Sequence, residues 1–313
     1  MNGLELSEKL YDSIKDELFE GTLAELRCRT AIGLVGEGSE CFGFDDAASR
    51  DHDWGPSLVL WLTDEDLRTH GAQLQKRYLK LTSSPFLGFA QRPAPQSGVQ
   101  RRVGVRGIGS FYVSLLHANK TPETIEEWRR IPESGLAAAT NGRVFCDPLG
   151  QFTRTRERLL AYYPEDLRLK KIASACMNAA QTGQYNFVRQ AKRREDLAAF
   201  GTLARFQEAV IAACYALSHR YMPFYKWAPR GLGELGDFGI RIKRLLAGML
   251  YAYRNDDLAR TEEIIEKICA ELAGELRRQG LSVCADNYLV PHAIEINAKI
   301  TDEALRRSDL MNI

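Results

Sequence analysis

The sequence predicts a mixed α+β protein, with a small sheet domain over residues 1–150 and an all-helical bundle domain over residues 151–313. Three observations support this fold class. Short apolar runs rich in Val, Ile and Leu alternate with helical patterns in the first part of the chain. Apolar residues recur every three or four positions through most of the second part. The segment Asp147-Pro-Leu-Gly150 has the composition of a turn and separates the two patterns.

Four apolar runs predict strands in the first domain, at residues 30–35, 57–63, 103–108 and 143–146. Helical patterns accompany them at residues 4–20, at 64–78 with a cap at Thr63/Asp64, and at 122–130 with Pro122 in the first turn. Residues 92–101 have the composition of a loop. Strands interleaved with helices indicate a mixed domain.

The apolar spacing in the second domain predicts a bundle of about five helices. One apolar face at helical spacing comprises Leu203, Phe206, Val210, Cys214, Leu217 and Tyr221. Residues 240–253 and 258–276 show the same pattern, and the polar stretch 254–257 separates them.

Charge and composition limit the classes of function that the sequence can have. The formal net charge is +1, from 42 basic and 41 acidic residues, which gives no strong nucleic-acid signature. No apolar run reaches the length of about 20 residues that a membrane span needs, so no membrane partner is expected. Seven dispersed cysteines without a CxxC pair predict a reducing, cytoplasmic setting and no zinc site. A homodimer stays open.

One stretch combines residues with the chemistry of phosphate transfer. The predicted strand 30–35 leads into a turn with Gly36, Gly38 and Ser39, and Asp51 and Asp53 then precede the next strand. Side chains at i and i+2 of a strand share one face, so both carboxylates are expected to converge. Such a pair suits Mg²⁺, which proteins hold with one or two carboxylates plus substrate phosphates. The glycine turn and the Ser39 hydroxyl suit a phosphate. A solvated acidic loop is the other interpretation.

This arrangement resembles the nucleotidyltransferase superfamily, which includes DNA polymerase β and kanamycin nucleotidyltransferase. Gly38-Ser39 matches its Gly-Ser turn, and Asp51-His-Asp53 matches its Asp-x-Asp pair. The resemblance implies two Mg²⁺ ions, with Mn²⁺ as a substitute, and an NTP, with ATP as the expected one. It also implies transfer of a nucleoside monophosphate, with pyrophosphate as the leaving group.

The wider chain is similar to an uncharacterised bacterial group of nucleotidyltransferase-like proteins with an all-helical second domain. The segments that carry this similarity are Gly43-Phe-Asp-Asp46, residues 49–56, Gln184-Tyr-Asn186 and Pro223-Phe-Tyr-Lys-Trp227.

The superfamily normally adds a third carboxylate from a later strand or helix, and the predicted strand at 103–108 has none. Glu208 lies off the apolar face of its helix, which makes it a candidate to face the cleft between the domains, as the helical-domain glutamate of kanamycin nucleotidyltransferase does. A solvent-facing glutamate is the other interpretation. Asp147, Asp45 and Asp46 are further candidates, although a turn or capping role suits each of them. A chain without a third carboxylate is expected to have weakened or no catalysis.

Two basic residues of the second domain are candidate phosphate ligands. Arg189 begins a basic helical stretch, for which a solvated face is the other interpretation. Lys226 lies beside Trp227 and can neutralise charge on a leaving pyrophosphate, whereas Trp227 and Tyr225 are expected to pack between the two domains.

We therefore expect a Mg²⁺-dependent nucleotidyltransferase that acts on a hydroxyl of a small-molecule or protein acceptor. Two alternatives stay open. One is a catalytically weak or silent nucleotide-binding regulatory module. The other is a toxin–antitoxin type of nucleotidyltransferase that acts on tRNA.

Overall fold

The computed structural model describes residues 1–51, 54–92 and 102–311, and only the backbone of Arg50 and Asp51. It confirms the mixed α+β class. The chain divides into two compact units, Met1–Ala161 and Tyr162–Ile313.

The first unit contains all four strands of the described residues. In chain order its elements are α1 (Gly3–Ile14), β1 (Ala31–Leu34), β2 (Val59–Leu62), α2 (Asp64–Leu81), β3 (Gly104–Gly107), α3 (Ile108–Leu116), α4 (Ile125–Arg130), α5 (Glu133–Thr140), β4 (Arg143–Cys146) and α6 (Gln151–Leu160). Short 3₁₀ helices cover Glu17–Phe19, Gly21–Cys28, Ser39–Phe42 and Ala48–Asp51.

The sheet has the strand order β3-β2-β1-β4. β1 is antiparallel to both β2 and β4, whereas β2 and β3 are parallel. Gly33 is opposite Val59, Leu34 is opposite Arg143, and Val59 is opposite Gly104. The carboxyl end of β1 and the amino ends of the other three strands therefore meet at one edge of the sheet.

The two faces of the sheet are packed differently. On one face Ile32 and Leu60 pack with residues of α1 and α2, including Leu10 and Leu74. On the other face the Trp61 ring stacks on Phe152 of α6, with 3.9 Å between ring centroids. Phe152 is fully buried in this aromatic cluster, and α6 lies within the first unit, which extends to Ala161.

Several predicted helices differ from the observed ones at their ends. The helix expected over 4–20 ends at Ile14, and 3₁₀ turns follow, one of them beginning at Gly21 with φ of +67°. α4 begins only at Ile125, because Thr124 and Glu127 form a capping box there. The cap at Thr63 is confirmed, since its side chain accepts a hydrogen bond from the Asp66 N–H.

The second unit is helical throughout its described residues. Its elements are α7 (Glu165–Ala179), a π-helical segment (Ala180–Phe187), α8 (Val188–Lys192), α9 (Asp196–Leu217), α10 (Ala228–Gly231), a 3₁₀ turn (Leu232–Glu234), α11 (Gly236–Arg254), α12 (Leu258–Arg278), α13 (Leu289–Ala298) and α14 (Glu303–Arg307). α7, α9, α11, α12 and α13 are the long members, in agreement with the predicted bundle. The predicted turn at 254–257 separates α11 from α12.

The π-helical segment is fixed by close packing. A Cβ atom on Gly183 would lie 2.4 Å from the Phe206 ring, so only glycine fits. The Gln184 side chain donates to Glu266 at 2.9 Å and accepts from the Leu289 N–H at 3.0 Å. These contacts tie the widened helical turns to α9, α12 and α13.

Among the described residues, α9 (Asp196–Leu217) is long and apolar enough to cross a membrane by length and composition, with a mean hydropathy of 1.3 over its best window. Phe206, Val210 and Cys214 of this helix are fully buried within the second unit. Buried core helices of soluble proteins have the same composition.

Candidate functional site

The turn after β1 is held by residues far away in the sequence. Gly36 has a φ of +141°, which favours glycine. The Asn141 side chain makes two hydrogen bonds with this residue: its Oδ1 accepts from the Gly36 N–H at 3.0 Å, and its Nδ2 donates to the Gly36 carbonyl at 2.6 Å. Arg156 in turn donates to the Asn141 carbonyl at 2.6 Å. The turn is therefore a fixed feature of the sheet edge.

Gly38 and Ser39 continue this turn into the 3₁₀ helix Ser39–Phe42. A Cβ atom on Gly38 would lie 2.3 Å from a carboxylate oxygen of Glu40. Within the described residues, the N–H groups of residues 37–40 donate to no acceptor. Successive backbone N–H groups in a turn attract anions. The arrangement therefore suits an oxyanion such as a phosphate.

A pocket of about 170 Å³ lies against the turn. Its charged lining residues are Glu37, Glu40, Arg92, Arg102 and Arg106. Pockets that hold drug-sized ligands usually measure about 300–1,000 Å³. This pocket is therefore sized for a small anion such as a phosphate group rather than for a whole nucleotide.

Two of the three arginines face carboxylates. Arg92 and Glu40 form an ion pair whose side chains are only 5% and 3% exposed. Arg102 lies 3.9 Å from Glu37, and both of these side chains are more than half exposed. The charges of these two pairs largely cancel.

Arg106 is the exception. Its guanidinium donates to Ser114 Oγ at 3.0 Å and lies 5.2 Å from the centre of the Phe111 ring. Among the described residues, no carboxylate lies within ion-pair distance of it. Burial lowers the pKa of Arg106, and the more distant Glu37 opposes this shift. The half-buried Arg106 guanidinium donates only to Ser114 Oγ among the described residues, so it gives the pocket an excess positive charge that suits an anionic ligand.

Arg106 lies on the strand where the superfamily could supply its third carboxylate. It lies on β3, opposite Trp61 of the parallel neighbour β2. As expected from the sequence, this strand carries no acid. Asp147 instead accepts from the Thr153 N–H at 2.8 Å, so it caps α6, which confirms the capping interpretation.

The other two aspartate candidates, Asp45 and Asp46, organise the loop before β2. One carboxylate oxygen of Asp45 accepts from the Gly3 N–H at 2.7 Å and from Trp54 Nε1 at 3.1 Å. The second oxygen of Asp45 is buried, with no hydrogen-bond partner among the described residues. Asp46 accepts from the N–H groups of Ala48 and Ser49 and so starts the next 3₁₀ turn.

The predicted metal ligands lie outside the described side chains. The backbone of Asp51 ends the 3₁₀ turn Ala48–Asp51, and Asp53 falls outside the described residues. β2 begins only at Val59, and Asp51 ends a 3₁₀ turn that the Asp46 side chain starts, so the strand geometry used to place Asp51 and Asp53 on one face does not apply at Asp51. The described residues contain no group of three or more His, Cys, Asp or Glu side chains that could hold a metal ion.

The candidates of the second domain are surface residues of the second unit. Glu208 is exposed on α9. Arg189 is exposed on α8, stacks 4.5 Å from the centre of the Tyr185 ring and donates to its hydroxyl. Lys226 is exposed, with its Nζ 5.0 Å from the centre of the Trp227 ring.

Sequence reasoning missed Arg106 and Asn141. Arg106 gave one signal, a cation inside an otherwise apolar strand pattern. Asn141 gave none, since its partner Gly36 is 105 residues away.

Comparison with protein families adds one finding. A family model described as a domain of unknown function (DUF4037) matches residues 128–228. The match contains Asn141, Arg189, Glu208 and Lys226, and it excludes the turn at Gly36. No curated protein and no solved structure matched the chain.

Proposed function

We propose that the protein is a Mg²⁺-dependent nucleotidyltransferase that moves a nucleoside monophosphate from an NTP to a hydroxyl group of a small molecule or protein. The observation that carries the proposal is the fixed turn Gly36–Ser39 with the arginine-lined pocket against it. A fixed turn whose N–H groups donate to no acceptor within the described residues, with a cation next to it, is suited to phosphates.

The pairing of β1 with β2 also supports a nucleotidyltransferase. The carboxyl end of β1 and the amino end of β2 are neighbours in the sheet, since Gly33 pairs with Val59. The chain enters β2 from the segment that contains Asp51 and Asp53. The proposal assigns Mg²⁺ to these two aspartates, and the bound metal would activate an acceptor hydroxyl and stabilise the leaving pyrophosphate.

The residues of the pocket have separate roles in the proposal. The N–H groups of residues 37–40 bind phosphate oxygens, together with the hydroxyl of Ser39, which lies in the turn but is not among the residues that line the pocket. Arg106 neutralises negative charge on the terminal phosphates, because it is the pocket arginine without a carboxylate partner among the described residues. Arg92 holds Glu40 and has no direct contact with the nucleotide.

A second candidate function is a catalytically silent nucleotide-binding module. The specific observation in its favour is that β3 carries Arg106 and no carboxylate, while Asp147 is engaged in capping α6. This candidate predicts nucleotide binding without release of pyrophosphate.

The test measures pyrophosphate release from each of the four NTPs with Mg²⁺ or Mn²⁺, with cell extract as the source of acceptors. Three proteins are compared: wild type, Asp51→Ala/Asp53→Ala, and Arg106→Ala. Calorimetric titration of the same proteins with each NTP measures binding separately. Arg130→Ala is the matched control, since this arginine of the first unit is 76% exposed.

Release by the wild type that is lost in Asp51→Ala/Asp53→Ala supports the transferase. Loss of one charge-assisted contact costs about 1.5–3 kcal/mol, so Arg106→Ala should weaken NTP binding by roughly 10- to 100-fold. Binding without release would favour the silent module. Unchanged NTP affinity in Arg106→Ala would refute the role of the pocket, and absence of any NTP binding in the wild type would refute both functions.

A further inference from the structure

The segment between α9 and α10 exposes aromatic rings. Phe224 is 51% exposed and Tyr225 is 73% exposed. Their ring centroids lie 4.4 Å apart and their planes are inclined by 49°. The two rings therefore pack against each other and leave their outer faces open to solvent.

Cations accompany these rings. Lys226 Nζ lies 5.0 Å and the Arg230 guanidinium 5.9 Å from the centre of the Trp227 ring. Lys243 of α11 donates to the Arg230 carbonyl at 3.0 Å. Within residues 162–311, neither Lys226 nor Lys243 has a carboxylate within ion-pair distance. We call residues 223–230 together with Lys243 the aromatic–basic surface.

The backbone of the aromatic–basic surface is held in place by buried residues and hydrogen bonds of the second unit. Pro223 and Ala228, on either side of the exposed rings, are buried. Tyr215 of α9 donates its hydroxyl to the Ala228 carbonyl at 3.1 Å, and the Trp227 N–H donates to the Phe224 carbonyl at 2.8 Å. A ligand that stacks on the rings would therefore meet a preformed platform, with little ordering cost.

Open aromatic faces beside two lysines that have no carboxylate partner within residues 162–311 fit one ligand chemistry best. Single-stranded nucleic acid offers flat unpaired bases to the rings and phosphates to the cations. A duplex hides its base faces in the stack, so it can use the cations only. An acidic peptide can likewise use the cations, but it has no bases to stack.

We propose that the aromatic–basic surface binds single-stranded nucleic acid, with Phe224 and Tyr225 stacking on bases and Lys226 and Lys243 contacting phosphates. The near balance of charge over the whole chain means that stacking, rather than a general attraction to polyanions, supplies most of the specificity. This binding is independent of the proposed transfer reaction.

The test is fluorescence anisotropy of a 5′-labelled 12-nucleotide single-stranded RNA of mixed sequence, titrated with the full chain over a range of salt concentrations. The same sequence as single-stranded DNA, as an RNA duplex, and an oligoglutamate peptide serve as competitors. Stacking on one aromatic side chain contributes about 1–3 kcal/mol, so Tyr225→Ala should raise the Kd about 5- to 100-fold. Lys226→Ala should reduce the slope of log K against log salt by about 0.7.

Two matched controls come from the other end of α9. Phe200 is 59% exposed near its beginning, and Lys192 is exposed just before it. α9 has 22 residues, which at 1.5 Å per residue separates the two ends by about 30 Å. Phe200→Ala and Lys192→Ala should leave the Kd within about twofold, and circular dichroism checks that all variants are folded.

Three results would overturn the proposal: no RNA binding by the wild type at 50 mM salt, an unchanged Kd in Tyr225→Ala, or equal competition by duplex or oligoglutamate. A larger loss in Phe200→Ala than in Tyr225→Ala would assign the binding to the other end of α9 and would also refute it.

Discussion

The turn after β1 and the aromatic–basic surface differ in how far their side chains are buried and bonded to the rest of the fold. At the turn, Arg92 is buried against Glu40, and Asn141 binds both backbone groups of Gly36. Of the three arginines that line the pocket, only Arg106 has no carboxylate partner among the described residues. At the surface, the rings of Phe224 and Tyr225 face solvent. The turn thus depends on contacts with distant residues, whereas the aromatic rings of the surface make few contacts that the second unit needs for its packing. Substitutions should therefore affect stability strongly at the turn and weakly at the surface.

The largest effect is expected at the buried ion pair. Arg92→Met leaves the Glu40 carboxylate, which is 3% exposed, without its counter-charge. Removing one partner of a buried pair typically costs about 3–5 kcal/mol, and urea denaturation measures this loss. The double variant Arg92→Met/Glu40→Leu removes both charges and should recover most of the stability. A double variant as unstable as the single one would show that the charge is not the cause.

A glycine next to the turn should give the next effect. Gly142 has φ of +62°, and a Cβ atom there would lie 2.0 Å from the Leu34 carbonyl oxygen. Gly142→Ala combines backbone strain with a clash against backbone, so we expect a loss of about 3 kcal/mol in urea denaturation. Gly21→Ala is the matched control, because Gly21 has φ of +67° and no atom within 4 Å of the added Cβ. It should cost about 1 kcal/mol. Equal losses would mean that the close approach to Leu34 is unimportant.

Alkaline pH should destabilise the same unit. Burial raises the pKa of Tyr78 from 10.0 to about 12, and its hydroxyl oxygen accepts from the Leu58 N–H at 3.0 Å. A pKa raised in the folded state favours the protonated tyrosine. This contribution is complete below pH 10 and is lost as the pH rises towards 12, by about 2 kcal/mol. Urea denaturation between pH 9 and 12 should show a shallower decline in Tyr78→Phe than in the wild type, and parallel declines would contradict the assignment.

The smallest effect is expected at the exposed surface. Tyr225→Ala removes a ring that is 73% exposed, so the free energy of unfolding should change by less than about 0.5 kcal/mol. Thermal and urea denaturation measure this change. A loss of 2 kcal/mol or more would show that the segment supports the bundle, and the contrast between the two regions would no longer hold.

Local patterns predicted the fold better than the site. The apolar runs at 30–35 and 57–63, the cap at Thr63 and the apolar face of α9 are each determined by neighbouring residues, and each was found as expected. The pocket depends on contacts between distant positions, such as Asn141 with Gly36 and Arg92 with Glu40. No periodicity encodes such pairs. The turn at Asp51 was missed because the side chain of Asp46 caps it, which a strand pattern cannot reveal.

The π-helical segment has a consequence for insertions and deletions in the second unit. A π turn contains one residue more than the α turn that it replaces. Each residue of an α-helix advances the chain by about 100°, whereas the wider π turn takes up its additional residue within the turn. Deleting one residue from Ala180–Phe187 is therefore compatible with regular helix there, whereas deleting one residue from within α9 would rotate the later side chains of that helix by about 100°. The segment is thus a place in the second unit where a one-residue change of length can be absorbed without turning the helix that follows.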